Sequence, residues 1–144
     1  LVGDLATPDK QLCEIAKALV AGAKVIVLDE PTAMLDPSGR KEVLKTIRRL
    51  NREKGITVVW ITHFMEEAAQ ADRIVVMNKG TTVLSGTPRE VFEQVETLRE
   101  MHLDVPHMTD LSQDLRKEGM PLPAGILTVE EMAEEVCKLV CRSK

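Results

Sequence analysis

Apolar residues gather into two nearly unbroken runs, Val25 to Leu28 and Ile56 to Ile61, and elsewhere recur at spacings of three and four. The first run, β-branched or leucine throughout with no polar alternation, predicts a strand covered on both faces, as in a parallel α/β sheet. The second predicts another such strand. Between them, Val43, Leu44, Ile47 and Leu50 predict a helix from Pro37 to about Lys54, with Asp36 as its cap and Gly55 as its stop. Arg48, Arg49, Arg52 and Lys54 then fall on its outside and last turns, and read as a solvated face. Ahead of the first strand, Leu12, Ile15, Ala16 and Leu19 predict a helix from Pro8 to about Ala21, capped by Thr7. Asp72 to Gly86 reads as two short strands about an Asn78-Lys79-Gly80 turn. Thr87-Pro88-Arg89-Glu90 is a capping box, launching a helix through about Met101 along Val91, Val95 and Leu98. The next stretch, His102 to Gly125, carries Pro106, Pro121 and Pro123 and predicts at most one short helix, around Leu111 to Lys117. A second capping box, Thr128 to Glu131, opens a last helix striped by Val129, Met132, Val136, Leu139 and Val140.

Composition narrows the possibilities. A chain of 144 residues, 44% of them hydrophobic, supports one modest domain with a small appendage. A net charge of −4 supplies no overall basic field for nucleic acid, and 2% aromatic content leaves no stacking platform for single strands. Three cysteines make no disulfide framework and suit a reducing cytosolic setting. Cys137 and Cys141, four apart on the last helix, lack further ligands at metal spacing and read as packing residues; His102 and His107 read as surface residues. No apolar run is long enough to span a bilayer, so any membrane role is expected to be peripheral. The polar face of the last helix is acidic before Lys138, which favours packing on its own domain or a sister subunit over a lipid surface.

The chemistry-bearing stretch is Val25-Ile26-Val27-Leu28-Asp29-Glu30-Pro31-Thr32-Ala33-Met34-Leu35-Asp36. Ligands of parallel sheets sit beyond the carboxyl ends of the strands, where Asp29 and Glu30 emerge. Adjacent side chains there point in opposite directions and can divide their work. Asp29 can hold a hydrated magnesium ion, while Glu30 faces an attacking water. His63, directly after the second apolar run, reads either as a surface residue or as a third member of that site.

These residues resemble the ATP-binding cassette transport ATPases. Val25 to Glu30 looks like the family's Walker B strand, Ala33-Met34-Leu35-Asp36 like its D-loop, and His63 followed by Phe64-Met65-Glu66-Glu67-Ala68 like its switch histidine. The resemblance implies an α/β fold: part of a P-loop NTPase parallel sheet with a closing β-hairpin, followed by a small, mainly helical tail. It implies domains of residues 1–86, the C-terminal half of a nucleotide-binding domain, and 87–144, a helical extension. It also implies ATP and Mg2+ as cofactors: Asp29 for magnesium through water, Glu30 for the attacking water, His63 for the γ-phosphate, and Asp36 for cross-talk with a second ATPase subunit. Leu5, Ala6, Thr7, Pro8 and Asp9 occupy the place of the signature loop, normally Leu-Ser-Gly-Gly-Gln. Their chemistry departs from it: Ala6 lacks the hydroxyl, Pro8 lacks the N–H, and Asp9 adds negative charge, so a weakened half-site is expected beside a plain capped helix. Gln11 and Glu14 to Leu19 look like the sugar-importing branch. Leu103-Asp104-Val105-Pro106, Leu115 to Gly119 and Pro121-Leu122-Pro123 resemble the tail of energy-coupling factor ATPases, the motor subunits of vitamin and metal-ion importers.

A cassette ATPase also needs a glycine-rich phosphate loop. The nearest string here, Gly39 to Thr46, puts Leu44 where the second glycine belongs and lies inside a predicted helix, so it is rejected. The expected activity is thus that of an importer ATPase fragment at the cytoplasmic face of the membrane, working with a second ATPase subunit and an integral membrane subunit. It is expected to turn over ATP only when the missing half is supplied. A non-catalytic interaction or regulatory module derived from such an ATPase is the alternative. A nucleic-acid or repair ATPase ranks last.

Overall fold

Val25–Asp29 and Thr57–Ile61 form strands β1 and β2 in a computed structural model that describes residue 13, residues 15–18 and residues 20–142. They pair in parallel, from Val25 opposite Thr57 to Asp29 opposite Ile61. Parallel strands need a long crossover, which helix α1, Pro37–Lys54, supplies. The α1 boundaries follow local chemistry. At its start, Asp36 accepts a hydrogen bond from the Gly39 N–H at 3.0 Å, and Pro37 occupies the first turn. At its end, Gly55 adopts φ 64° and its N–H returns to the Asn51 carbonyl. The Asn51 side chain donates to the Ile56 carbonyl at 2.8 Å and so leads the chain into β2.

Val43 and Ile47 of α1 are buried with Ile15 and Leu35, and Leu28, Leu50, Val58 and Trp60 pack around them. This covers one face of the β1–β2 sheet. Val25, Val27, Val59 and Ile61, pointing the other way, are between 45% and 63% exposed. The expectation of strands covered on both faces is therefore met on one side only: alternate side chains face opposite ways, and a single helix can cover only one set. Residues 15–18 are helical, as predicted, with Ile15 buried but Ala16 exposed rather than part of the stripe. Leu12, Leu19 and the cap at Thr7 and Pro8 lie outside the described residues.

Contacts divide the chain between His63 and Phe64. The second unit begins with α2, Met65–Ala68, and a hairpin of β3, Ile74–Asn78, and β4, Thr81–Gly86. Lys79 and Gly80 both take positive φ, 48° and 79°, the turn geometry that matches strand twist. Four helices follow: α3, Pro88–Phe92; α4, Val95–Glu100; α5, His107–Lys117; and α6, Val129–Arg142. The predicted single helix to Met101 is broken at Gln94, which adopts φ −88°, ψ 51°. Pattern could not reveal this break, because Val91, Val95 and Leu98 keep helical spacing across it. The short helix expected around Leu111 starts earlier, at His107, directly after Pro106.

Val76 of the hairpin is buried with Val91, Phe92, Val95, Leu98 and Val105. The hairpin therefore packs with the helices that follow it. A second cluster joins Leu122, Ile126 and Met132. Arg89 pins the start of α6: it donates to the Gly125 carbonyl at 2.5 Å and to Glu131 at 2.8 Å. Glu131 also accepts from the Leu127 N–H, so the second capping box is only half formed, with Thr128 Oγ1 accepting from the Glu131 N–H at 3.2 Å. Met132 is buried as predicted, but Val129 and Val140 are exposed. Cys137 and Cys141 are exposed, against the expectation that they pack. His102 and His107 are surface residues, and His107 Nε2 lies 3.4 Å from Glu66. No helix among the described residues is long and apolar enough to cross a membrane.

Two stability measurements test this account. A Cβ at Gly55 would meet no atom within 4 Å, so Gly55→Ala isolates the strain of positive φ. It should cost about 1 kcal/mol in urea unfolding; no loss would mean that the helix end is not held left-handed. At the Thr87–Glu90 capping box, the Thr87 backbone N–H and then its hydroxyl donate to Glu90, holding its carboxyl below the usual range. A depressed folded-state pKa contributes stability above the unfolded value that is lost as pH falls through the folded one. Glu90→Gln should therefore be less stable than the parent at neutral pH, with the gap closing on acidification; a gap unchanged at acid pH would contradict it.

Candidate functional site at the carboxyl ends of the parallel strands

Register decides which side chains meet at the strand ends. The Glu30 N–H donates to the Ile61 carbonyl at 2.9 Å, extending the β1–β2 pairing by one residue. Glu30 then takes φ 42°, a left-handed value uncommon outside glycine. Such strain clusters at functional sites, where the surroundings enforce it. Pro31 and Thr32, the next two residues, are buried, and Ala33 N–H returns to the Glu30 carbonyl at 3.1 Å.

His63 stands two residues beyond the end of β2, and its Nδ1 lies 2.9 Å from Glu30 Oε1. An ionised carboxylate only accepts, so Nδ1 carries the proton and donates. That leaves Nε2 as the acceptor of a neutral ring, or as a second donor when the ring is protonated. The side chains are 58% and 49% exposed, within reach of solvent or a bound ligand. Of the candidate residues, these two are joined directly.

Asp29 is exposed, on the opposite side of the strand end from Glu30. Among the described residues, no group of three acidic, histidine or cysteine side chains could hold a metal ion. A dedicated cage is thus not what Asp29 would provide. Magnesium keeps most of its waters and takes one or two carboxylates together with substrate phosphates. One exposed, hard oxygen donor fits that role.

Asp36 caps α1, with its carboxylate engaged by the Gly39 N–H. The turn that carries it is fixed from both sides: Leu35 is buried, its N–H donates to the Thr32 carbonyl, and Arg40 Nε donates to the Leu35 carbonyl at 3.1 Å. Met34, at the tip, is 85% exposed. Sequence reasoning missed Arg40 because it reads as one more cation on a basic helix; its five-residue reach back to Leu35 appears only in three dimensions. Gly39 to Thr46, the near match to a phosphate loop, is helical with Gly39 and Val43 buried, and offers no cradle. Leu5, Ala6, Thr7, Pro8 and Asp9 lie outside the described residues.

Comparison with known proteins gives a consistent picture. Residues 106–143 match the family model described as the energy-coupling factor transporter EcfA1 C-terminal domain. The chain is 57% identical over 129 residues to the energy-coupling factor transporter ATP-binding protein EcfA1 of Caldanaerobacter subterraneus subsp. tengcongensis, covering 90% of this chain and 47% of that protein. Against EcfA1 of Clostridioides difficile it is 58% identical over 130 residues, covering 90% and 47%. Against EcfA2 of the same Caldanaerobacter it is 40% identical, covering 98% and 50%. Among solved structures it is similar to cbiO1 from Clostridium perfringens, described as part of the ABC transporter complex cbiONQ, with a TM-score of 0.62 and 36% identity over 78% of this chain and 45% of that one. The chain spans about half the length of the curated relatives it matches. Sequence and fold agree that this chain belongs with the ATP-binding cassette transporter ATPases of the energy-coupling factor group.

Proposed function

We propose that the chain supplies the hydrolytic end of an importer ATPase: the residues that direct water and magnesium at a nucleotide phosphate, rather than the loop that cradles it. The observation that carries this reading is the 2.9 Å pair between Glu30 and His63 at the ends of adjacent parallel strands. Glu30 orients and deprotonates the attacking water. His63, fixed through Nδ1, presents Nε2 to the γ-phosphate and donates to it when the ring is protonated. Asp29 would hold magnesium through water, supplying the Lewis acid that neutralises phosphate charge. Asp36, at the head of α1, carries cross-talk to the second ATPase subunit, and Leu5, Ala6, Thr7, Pro8 and Asp9 take the signature-loop position.

In this reading residues 1–86 are the C-terminal half of a nucleotide-binding domain and 87–144 a helical extension. The assembled protein works on ATP and Mg2+ with a second cassette subunit and an integral membrane subunit, peripherally at the cytoplasmic face of the membrane. It energises uptake of a small solute such as a vitamin or metal ion. The EcfA1 and cbiO1 resemblances support that setting.

In a complex reconstituted with the phosphate-loop half and the membrane subunit, Glu30→Gln should abolish turnover while trapping the ATP-loaded dimer. His63→Ala should abolish turnover as well, a loss on the order of 100-fold or more for each. Normal hydrolysis by either variant would remove that residue from the site. The 144 residues contain no G-x-x-x-x-G-K-[ST] string, so titration calorimetry of the isolated chain with magnesium-ATP should register no binding. Stoichiometric tight binding would overturn the division of labour proposed here.

A further inference from the structure

Helix α1 carries seven of the 19 lysines and arginines but only two of the 23 acidic residues, in a chain whose net charge is −4. Helix stability does not account for this. Cations suit a helix's last turn, as Arg52 and Lys54 do, but Arg40 and Lys41 lie near the start, where the dipole disfavours them and the first turn holds no acid. Lys41, Lys45, Arg48 and Arg52 follow the spacing i, i+4, i+7, i+11, which confines them to an arc of about 60° and a length of about 16 Å. Neighbours at such spacings repel one another. The stripe lies opposite Val43 and Ile47, the buried side of the helix. Lys41, Lys45 and Arg52 are exposed, Arg48 is half-buried, and exposed Arg49 flanks them.

We propose that this stripe is a docking surface for an acidic helix of a partner protein, with carboxylates at the same four spacings. The partner class follows from what the surface has and lacks. A helix that binds a membrane surface buries its apolar face in lipid, but the apolar side of α1 is already occupied by its own core. Single-stranded nucleic acid wants aromatic platforms, and the stripe has none. A narrow line of regularly spaced cations matches a narrow line of carboxylates, giving orientation and register through charge. The surface is separate from the Glu30–His63 site and does not depend on ATP hydrolysis.

The test uses the full chain and a fluorescein-labelled helical peptide with glutamates at i, i+4, i+7 and i+11 in an alanine background, read by fluorescence anisotropy. Saturable binding is expected, weakened by salt and by at least about tenfold in the Lys45→Glu, Arg52→Glu double variant. Circular dichroism checks that variant's fold, and Lys45→Gln with Arg52→Gln replaces it if the charge reversal unfolds the chain. Absence of binding, equal binding of a peptide with the same glutamates shuffled off the stripe, or unchanged binding by the folded variant would overturn the proposal. So would tighter retention of the chain on phosphatidylglycerol vesicles or on duplex RNA.

Discussion

The parallel pairing of β1 with β2 is the constraint on which the candidate site depends. Glu30 and His63 are 33 positions apart, yet their side chains meet at 2.9 Å because Asp29 lies opposite Ile61 and the Glu30 N–H continues the ladder. A slip of one residue would turn Glu30 to the other face, since successive side chains alternate. Register is in turn set by the crossover helix. Asp36 starts α1 and Gly55 stops it, and Val43 and Ile47 seat it on Leu28, Val58 and Trp60. Chemistry at the strand ends thus rests on caps and packing some distance away.

The same turn serves two purposes. Residues 30–36 carry strain at Glu30, a buried Pro31 and Thr32, and an exposed Met34 before Asp36 caps the helix. A surface loop of that length would ordinarily be mobile. Here the buried side chains, the two returning backbone bonds and the Arg40 guanidinium hold it, so the rigidity of α1 reaches the strand end. That is the physical route by which a cap residue can influence a phosphate site without touching it.

Beyond His63 the chain turns to a different task. The hairpin contributes Val76 to a core otherwise built from helices, and Arg89 ties α3 to the entry of α6 through Gly125 and Glu131. Gly125 allows this closeness: a Cβ there would lie 2.6 Å from Arg89 Cγ. The region that matches the EcfA1 C-terminal model, residues 106–143, is therefore anchored by a charged clamp and a small apolar cluster.

By itself the sequence determined the elements and the identity of the reactive groups. Caps at Asp36 and Thr87, the stop at Gly55, the hairpin turn and the two apolar strands are local features, encoded within a few residues of where they act. The string from Val25 to Asp36, with His63 one helix later, was enough to name the Glu30 and His63 pair and the family resemblance. Tertiary structure alone decided what depends on distant partners: that Glu30 and His63 touch, that Arg40 holds the turn, that the helix after Thr87 breaks at Gln94, and that Val27, Val59, Cys137 and Val140 stay exposed. An apolar side chain specifies that it would gain by burial. Whether something covers it depends on which other elements are there to pack, and one helix on a two-stranded sheet can satisfy only one face.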